Sequence, residues 1–204
     1  MIRRLAGAAI VAVALAAAGC GGAGQPDNDQ PAASLTDAPE IASWSSVKGV
    51  WVPIGKNDGP KGGSGEPFKG FTHTPQGAAL AAITQSVQLA TASDTDWPKI
   101  LGSVAAPGET RDVYAANRAL VSISGLDPEA VPEIVGYTIT DYSDDAANVD
   151  VVQRFPDDSL AASHSRVVWT GEDWHLEIPA EDATSITALD EMPSDLVNLE
   201  GTRK

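Results

Sequence analysis

The position of His73 in the sequence suits either a reactive group or a residue of a structural turn. The stretch GFTHTPQGAALAAITQS covers residues 70–86, with His73 just before Thr74 and Pro75. Threonine is a favoured helix N-cap and proline a favoured first helical residue, which predicts a helix that continues over 78–91. Because a helix N-terminus can receive an anion, His73 and Thr74 are candidate ligands for a carboxylate. The alternative is a capping turn in which His73 makes only local contacts.

The stretch RVVWTGEDWHLEI, at residues 166–178, predicts a β-hairpin. If Gly171 and Glu172 form its two-residue loop, Trp169 faces Trp174 across the two strands. One face of the hairpin then carries apolar side chains and is predicted to belong to the core. These side chains are Val167, Trp169, Trp174, Leu176 and Ile178.

The opposite face of the hairpin is a candidate protein-contact surface. It carries His164, Arg166, His175 and Glu177, with Arg166 directly opposite Glu177 as an ion pair. In this register His175 lies about 13 Å along the strands from His164. Since a metal ion binds imidazole nitrogen at about 2 Å, these two histidines cannot share one. They are predicted to be exposed strand residues.

No group of residues in the sequence predicts catalysis, a metal or a cofactor. Four side chains are predicted to point inward between helices and sheet: Trp97, Tyr114, Asn117 and Tyr137. Trp97 and Tyr114 are candidate ligand-binding residues, although aromatic residues at such positions more often belong to the core. Acid–base catalysis needs a carboxylate and a histidine within hydrogen-bond reach, and no spacing forces such a pair together. Turns and caps account for the acidic stretches SDTDW, SDDAANVD and FPDDS.

The first twenty residues, MIRRLAGAAIVAVALAAAGC, have the pattern of an export signal followed by a lipid-attachment site. Two arginines precede an apolar run that is shorter than the roughly 20 residues a membrane span needs. Residues 1–19 are therefore predicted to be a cleaved signal peptide. Cys20 is the chain's one cysteine, which excludes a disulfide framework. Its position predicts lipidation, which would anchor the protein to the membrane.

The charge of the chain excludes one class of partner. Cleavage after residue 19 would remove Arg3 and Arg4, which leaves 11 of 13 basic residues against 28 acidic ones and a formal charge of −17. Such a surface repels nucleic acid, whose phosphates are bound by clustered Lys and Arg. It also repels anionic lipid headgroups. We therefore expect membrane contact through Cys20 alone, on the extracytoplasmic face.

Composition divides the remaining chain into four regions. They are a flexible tether at 20–43, a Gly- and Pro-rich docking segment at 44–67, a domain at 68–180 and a C-terminal tail at 181–204. Low hydrophobicity predicts the tether. Trp51 and Ile54 are predicted to dock the second region onto the domain.

Within 68–180, three helices precede four strands. The second helix starts near Trp97, and the third runs over about 108–122 with Val113, Leu120 and Val121 at helical spacing. The predicted strands cover 133–142, 147–155, 159–169 and 174–178. This order indicates an α+β fold, with N-terminal helices packed on a curved antiparallel sheet of about four strands.

The order of these elements resembles the cystatin-like cone fold of the nuclear transport factor superfamily. The motifs GFTHTPQGAALAA and RVVWTGEDWHLEI resemble a group of actinobacterial envelope proteins, often lipoproteins, that are frequently associated with conjugative elements. The resemblance covers about 45–180. It implies an extracytoplasmic domain of undetermined activity, and the fold order also resembles scaffold domains of type IV secretion and conjugation machines.

Three functional hypotheses follow. The first is a non-enzymatic membrane-anchored lipoprotein whose domain contacts envelope or secretion proteins. The second is a lipoprotein that holds a small ligand in the pocket of the cone, which requires a sizeable pocket with convergent polar groups. The third is a cone-fold hydrolase or isomerase, which requires a carboxylate or tyrosine within hydrogen-bond distance of His73.

Overall fold

The computed structural model describes residues 33–61, 65–123 and 127–203. In chain order their strands and helices are β1 (Ile41–Val47), β2 (Val50–Gly55), α1 (Pro75–Ala90), α2 (Trp97–Val104), α3 (Glu109–Arg118), β3 (Glu133–Tyr142), β4 (Ala146–Arg154), β5 (Leu160–Trp169), β6 (Trp174–Glu177), β7 (Ile186–Leu189) and β8 (Val197–Asn198). None of these helices is long and apolar enough to cross a membrane. The predicted signal peptide, Cys20 and the first part of the tether lie outside the described residues.

The strands form two sheets. β1 and β2 make an antiparallel hairpin, and the larger sheet has the order β6-β5-β4-β3-β8. β7 also pairs with β5. Because β4 pairs along nearly the whole of β5, strands β6 and β7 share the other edge of β5, one after the other. The loop between β6 and β7 therefore leaves this edge and returns to it.

Helix α1 lies between the two sheets. It packs against β2 of the hairpin and against β3 to β6 of the larger sheet. Thirteen of its 16 residues are buried, as expected for a helix enclosed by protein. Its buried polar side chains bond to neighbouring backbone: Gln85 donates to the Trp174 carbonyl at 2.8 Å, and Gln88 accepts from the Phe68 N–H at 2.8 Å.

The predicted fold class is wrong. The described residues form eight strands in two sheets with a helix between them, not N-terminal helices on a four-stranded, cystatin-like sheet. The predicted strands over 133–178 are present as β3 to β6. The additional strands come from both ends of the domain: β1 and β2 precede the helices, and β7 and β8 come from 181–204.

A tight turn creates the first hairpin. Lys48 and Gly49 connect β1 to β2 with φ angles of 52° and 100°, the pattern of a type I′ turn, which suits the twist of paired strands. Val50 and Val52 then point into the core, where they are 3% and 0% exposed. Ile54 packs against the same core, as predicted.

Four large apolar side chains are exposed, and one of them, Trp51, was predicted to dock onto the domain. Trp51 is 45% exposed because strand alternation turns it away from its buried neighbours. On and after α3, Val113, Leu120 and Val121 are 39%, 85% and 56% exposed. Arg118 is the buried residue of that helix, so α3 presents apolar groups to solvent.

Candidate functional site

His73 is joined to the β5–β6 hairpin by aromatic stacking. The register of that hairpin is confirmed, with Trp169 opposite Trp174. The His73 ring lies parallel to Trp169, with centroids 4.1 Å apart and planes at 14°, and its centroid is 5.6 Å from that of Trp174. His73 Nε2 also bonds to the carbonyl oxygen of Asp144. Since a carbonyl can only accept, Nε2 carries a proton.

Two hairpin side chains hold the backbone that leads to His73. The carboxylate of Asp173 accepts the N–H groups of Gly70 at 2.7 Å and Phe71 at 3.0 Å. The indole N–H of Trp174 donates to the carbonyl of Thr72 at 2.9 Å. Hydrogen bonds to a charged acceptor are among the stronger ones in proteins. The hairpin tip therefore fixes the path of the chain into α1.

The N-terminus of α1 is capped by the chain itself. The Thr74 hydroxyl accepts the Gly77 N–H at 3.0 Å, which confirms the predicted N-cap. The Asp58 carboxylate accepts from the Thr72 hydroxyl at 2.7 Å and the Thr74 hydroxyl at 3.2 Å. A Cβ on Gly77 would lie 2.1 Å from the Thr72 carbonyl oxygen, so this turn requires glycine. A carboxylate of the protein thus stands near the predicted anion position.

These contacts give His73 and Thr74 a structural role. The enzyme hypothesis required a carboxylate or tyrosine beside His73, whereas its hydrogen-bond partner in the described ranges is the Asp144 backbone. Within the same ranges no three His, Cys, Asp or Glu side chains are placed to hold a metal ion. Through these contacts the GFTHTPQG stretch joins the β5–β6 hairpin to the start of α1.

On the outer face of the large sheet, His164 joins three strands. Its Nδ1 lies 2.7 Å from Asp150 Oδ1 on β4, and its Nε2 lies 2.9 Å from Thr187 Oγ1 on β7. A carboxylate, an imidazole and a hydroxyl that are hydrogen-bonded in this order form the catalytic triad of serine hydrolases, in which the hydroxyl is the nucleophile. Here the hydroxyl belongs to an exposed residue of a four-residue edge strand. The arrangement fastens β7 to β5.

The other outer-face candidates have separate partners. Arg166 Nε lies 3.5 Å from Glu177 Oε1, which confirms the predicted cross-strand pair. The same guanidinium donates to Asn148 Oδ1 at 3.1 Å. His175 Nδ1 lies 3.0 Å from the Thr170 hydroxyl. The four residues share one face, but each is held by near neighbours.

A cleft of about 860 Å³ lies between α3 and the loop that follows β6, and we call it the α3 cleft. Its apolar lining includes Leu89, Val113, Tyr114, Val121, Ile178 and Pro179. Asn117 Nδ2 donates to Glu181 Oε1 at 2.5 Å, which connects α3 to the loop across the cleft. The structure thus provides a concave apolar surface bounded by polar groups.

A buried arginine that sequence reasoning missed shapes the α3 cleft. Arg118 is 5% exposed. Its Nη1 donates to the Val121 carbonyl at 2.8 Å, and its Nη2 donates to Asp94 at 2.9 Å and the Ala92 carbonyl at 3.3 Å. The guanidinium carbon lies 5.7 Å from the centre of the Trp97 ring. Arg118 therefore ties the end of α3 to the segment before α2.

Asp94 forms hydrogen bonds with the end of α3 and with the segment that follows it. It accepts the backbone N–H of Ile123 at 3.0 Å, the hydroxyl of Ser122 and the guanidinium of Arg118. These bonds stabilise the ionised carboxylate and lower the pKa of Asp94 to about 2. An arginine at the end of a helix together with the acidic stretch SDTDW was the available signal in the sequence.

The four residues predicted to point inward do not meet in one pocket. Trp97 lies under Arg118, whereas Tyr114 and Asn117 line the α3 cleft. Partial burial raises the pKa of Tyr114. Tyr137 is fully buried in the core, where desolvation raises the pKa of its hydroxyl.

Comparison with known proteins identifies the family of the chain. No curated protein and no solved structure shows significant similarity to it. Residues 6–195 match the profile of a domain of unknown function, DUF8175. Because this match covers more than half of the sequence, the chain belongs to the DUF8175 family.

Proposed function

We propose that this protein is a non-enzymatic lipoprotein on the extracytoplasmic face of the cell membrane, and that it binds a partner protein through the α3 cleft. The open apolar cleft carries this proposal. Val113 and Val121 line it and are 39% and 56% exposed. Exposed apolar groups that adjoin one another in a concave surface are typical of interaction sites.

The proposed anchor is the lipid on Cys20. The end of the predicted tether is held to the domain, since Leu35 packs against the core and Gln76 donates to the carbonyl oxygens of Ser34 and Asp37. About 12 residues of tether composition lie between Cys20 and residue 33, and a flexible chain of that length has an end-to-end distance of about 20 Å. This distance lets the domain reach a neighbouring membrane protein. The formal charge of −17 for the chain without residues 1–19 keeps its surface away from anionic headgroups.

The resemblance of the two sequence motifs to actinobacterial envelope lipoproteins supports a partner in a conjugation or secretion apparatus. A small apolar ligand in the same cleft is the second candidate. It is favoured by the cleft's volume of about 860 Å³, which lies within the range of small-molecule pockets.

Photo-crosslinking in native membranes tests the proposed function. A photoreactive phenylalanine analogue replaces Val113 inside the cleft, and matched variants carry it at Leu120 or at Arg166 on the outer sheet face. We expect a protein adduct from position 113 and none from position 120. A small-molecule adduct alone would favour the second candidate, and a protein adduct from position 166 alone would move the contact surface to the sheet.

The mass of the protein extracted from the same membranes tests the anchor. We expect a chain that begins at Cys20 and carries acyl groups there. An N-terminus at Met1, or an unmodified Cys20, would contradict the proposed anchor.

A further inference from the structure

The exposed charges that line the α3 cleft are all negative. Glu109 at the start of α3 and Glu181 and Asp182 in the loop after β6 all line the cleft and are exposed. The cleft also contains Arg118, but both terminal nitrogens of its guanidinium donate to protein oxygens. Among the described residues that line the cleft, Arg118 is thus the one cation, and it is already bonded within the protein rather than to the acidic rim.

The floor beneath this rim is apolar. Leu89 and Ile178 are buried at 8% and 7% exposure, while Val113 and Val121 are more exposed at the sides. The ten residues of α3 extend about 15 Å along one side of the cleft. A surface of this length can bury several side chains of a bound segment.

We propose that the partner presents a protein segment in which apolar residues are flanked by lysine or arginine. This inference rests on the proposed function. The apolar residues of this segment cover the floor of the cleft, and its lysine or arginine side chains pair with Glu109, Glu181 and Asp182. Complementary charge raises the association rate and rejects partners of the wrong sign. The acidic rim rejects anionic lipid headgroups and nucleic acid for the same reason.

Two capped peptides of about 12 residues, roughly one helix the length of α3, test this inference. Both have the same Leu and Ala positions, with Lys at the remaining positions of one and Glu at those of the other. Binding to the full lipidated chain in zwitterionic nanodiscs is measured by fluorescence anisotropy, with empty nanodiscs as the blank. We expect the Lys peptide to bind at least about tenfold more tightly, and added salt to reduce the difference. Equal binding, or tighter binding of the Glu peptide, would overturn the proposal.

Two sets of variants locate the binding. Replacing Glu109, Glu181 and Asp182 by Gln, Gln and Asn should remove the preference for the Lys peptide. The matched control changes the net charge equally at exposed residues outside the cleft lining. Its substitutions are Glu172→Gln, Asp190→Asn and Glu191→Gln. An equal loss in this control would show a general charge effect and overturn the rim assignment.

Val121→Asp should weaken binding of the Lys peptide by about tenfold or more, since it places a charge on apolar surface. Leu120→Asp is the matched control, because Leu120 is more exposed and does not line the cleft. Thermal unfolding verifies that each variant is folded. If neither peptide binds while position 113 still crosslinks to a protein, the basic partner is wrong and the proposed function stands. If both experiments fail, both are wrong.

Discussion

The ring of His73 lies parallel to the ring of Trp169, with 4.1 Å between centroids, although the two residues belong to opposite ends of the domain. His73 precedes the central helix, and Trp169 ends the long strand β5. Their contact therefore joins the segment before α1 to the end of β5. The same hairpin holds the preceding backbone through Asp173 and Trp174. The most patterned stretch of the sequence therefore contributes to the stability of the fold.

This contact predicts a measurable coupling. Aromatic pairs contribute about 0.5–1.5 kcal/mol beyond the area they bury. His73→Ala and Trp169→Ala should each lower the free energy of unfolding, and a double-mutant cycle should give a coupling of about that size. Denaturant unfolding measures it. His175→Ala, combined with Trp169→Ala, is the control, and its coupling should be near zero.

Asp173 should be more sensitive than its neighbours in the hairpin turn. Asp173→Asn places an amide NH₂ where one carboxylate oxygen now accepts, so at least one of the three backbone N–H groups bound by Asp173 loses its acceptor. We expect the free energy of unfolding to fall by about 2 kcal/mol. Glu172→Gln changes an adjacent exposed side chain and should have little effect. Equal stability of the two variants would contradict the role assigned to Asp173.

The β5–β6 hairpin was predictable because its signals agree with one another. Gly171 has a φ of 93° in the turn, and apolar residues alternate on both sides of it. The cap at Thr74 was predictable because threonine is a favoured N-cap and proline follows it at the first helical position. In both places local backbone preference and side-chain pattern lead to the same structure.

For β1 and β8, backbone preference and side-chain pattern did not agree in this way. In β1 the serines around Trp44 give no alternation of apolar residues, and β8 has two residues, too few to show a period. β8 pairs with β3, which is distant in sequence, whereas β1 pairs with β2, which follows it directly. The spacing of Val113 and Val121 is helical, but nothing in a spacing states whether another element covers that face. For this reason the α3 cleft and the Arg118 network emerged only from the structure.

His164 should stabilise the pairing of β7 with β5. His164→Ala and Thr187→Val both remove the hydrogen bond between His164 on β5 and Thr187 on β7, and a hydrogen bond is worth about 1 kcal/mol. Amide exchange within Ile186–Leu189 should therefore become about fivefold faster, while exchange in α1 stays unchanged. Hydrolysis of a p-nitrophenyl ester should be the same for these variants and the unmodified protein. Ester hydrolysis that both substitutions abolish would instead assign a catalytic role to the group.

The stabilisation by Asp94 should depend on pH in a defined direction. Its folded-state pKa of about 2 is below the ordinary value of 3.8 because the Ile123 N–H, Ser122 and Arg118 favour the ionised form. A depressed carboxylate pKa contributes stability that is complete above the unfolded-state pKa and is lost as the pH falls through the folded-state pKa. Asp94→Asn should therefore be less stable than the unmodified protein at neutral pH.

That difference should diminish as the pH falls from about 4 to about 2, because protonation then removes the charge from Asp94 in the unmodified protein as well. Urea unfolding at several pH values measures it. Asp112→Asn is the control, since Asp112 lies on α3 and pairs with Arg111 at the surface. Surface pairs contribute little, so its effect should be small at every pH. A difference for Asp94→Asn that persists unchanged at pH about 2 would show that the side chain acts through its shape and not its charge.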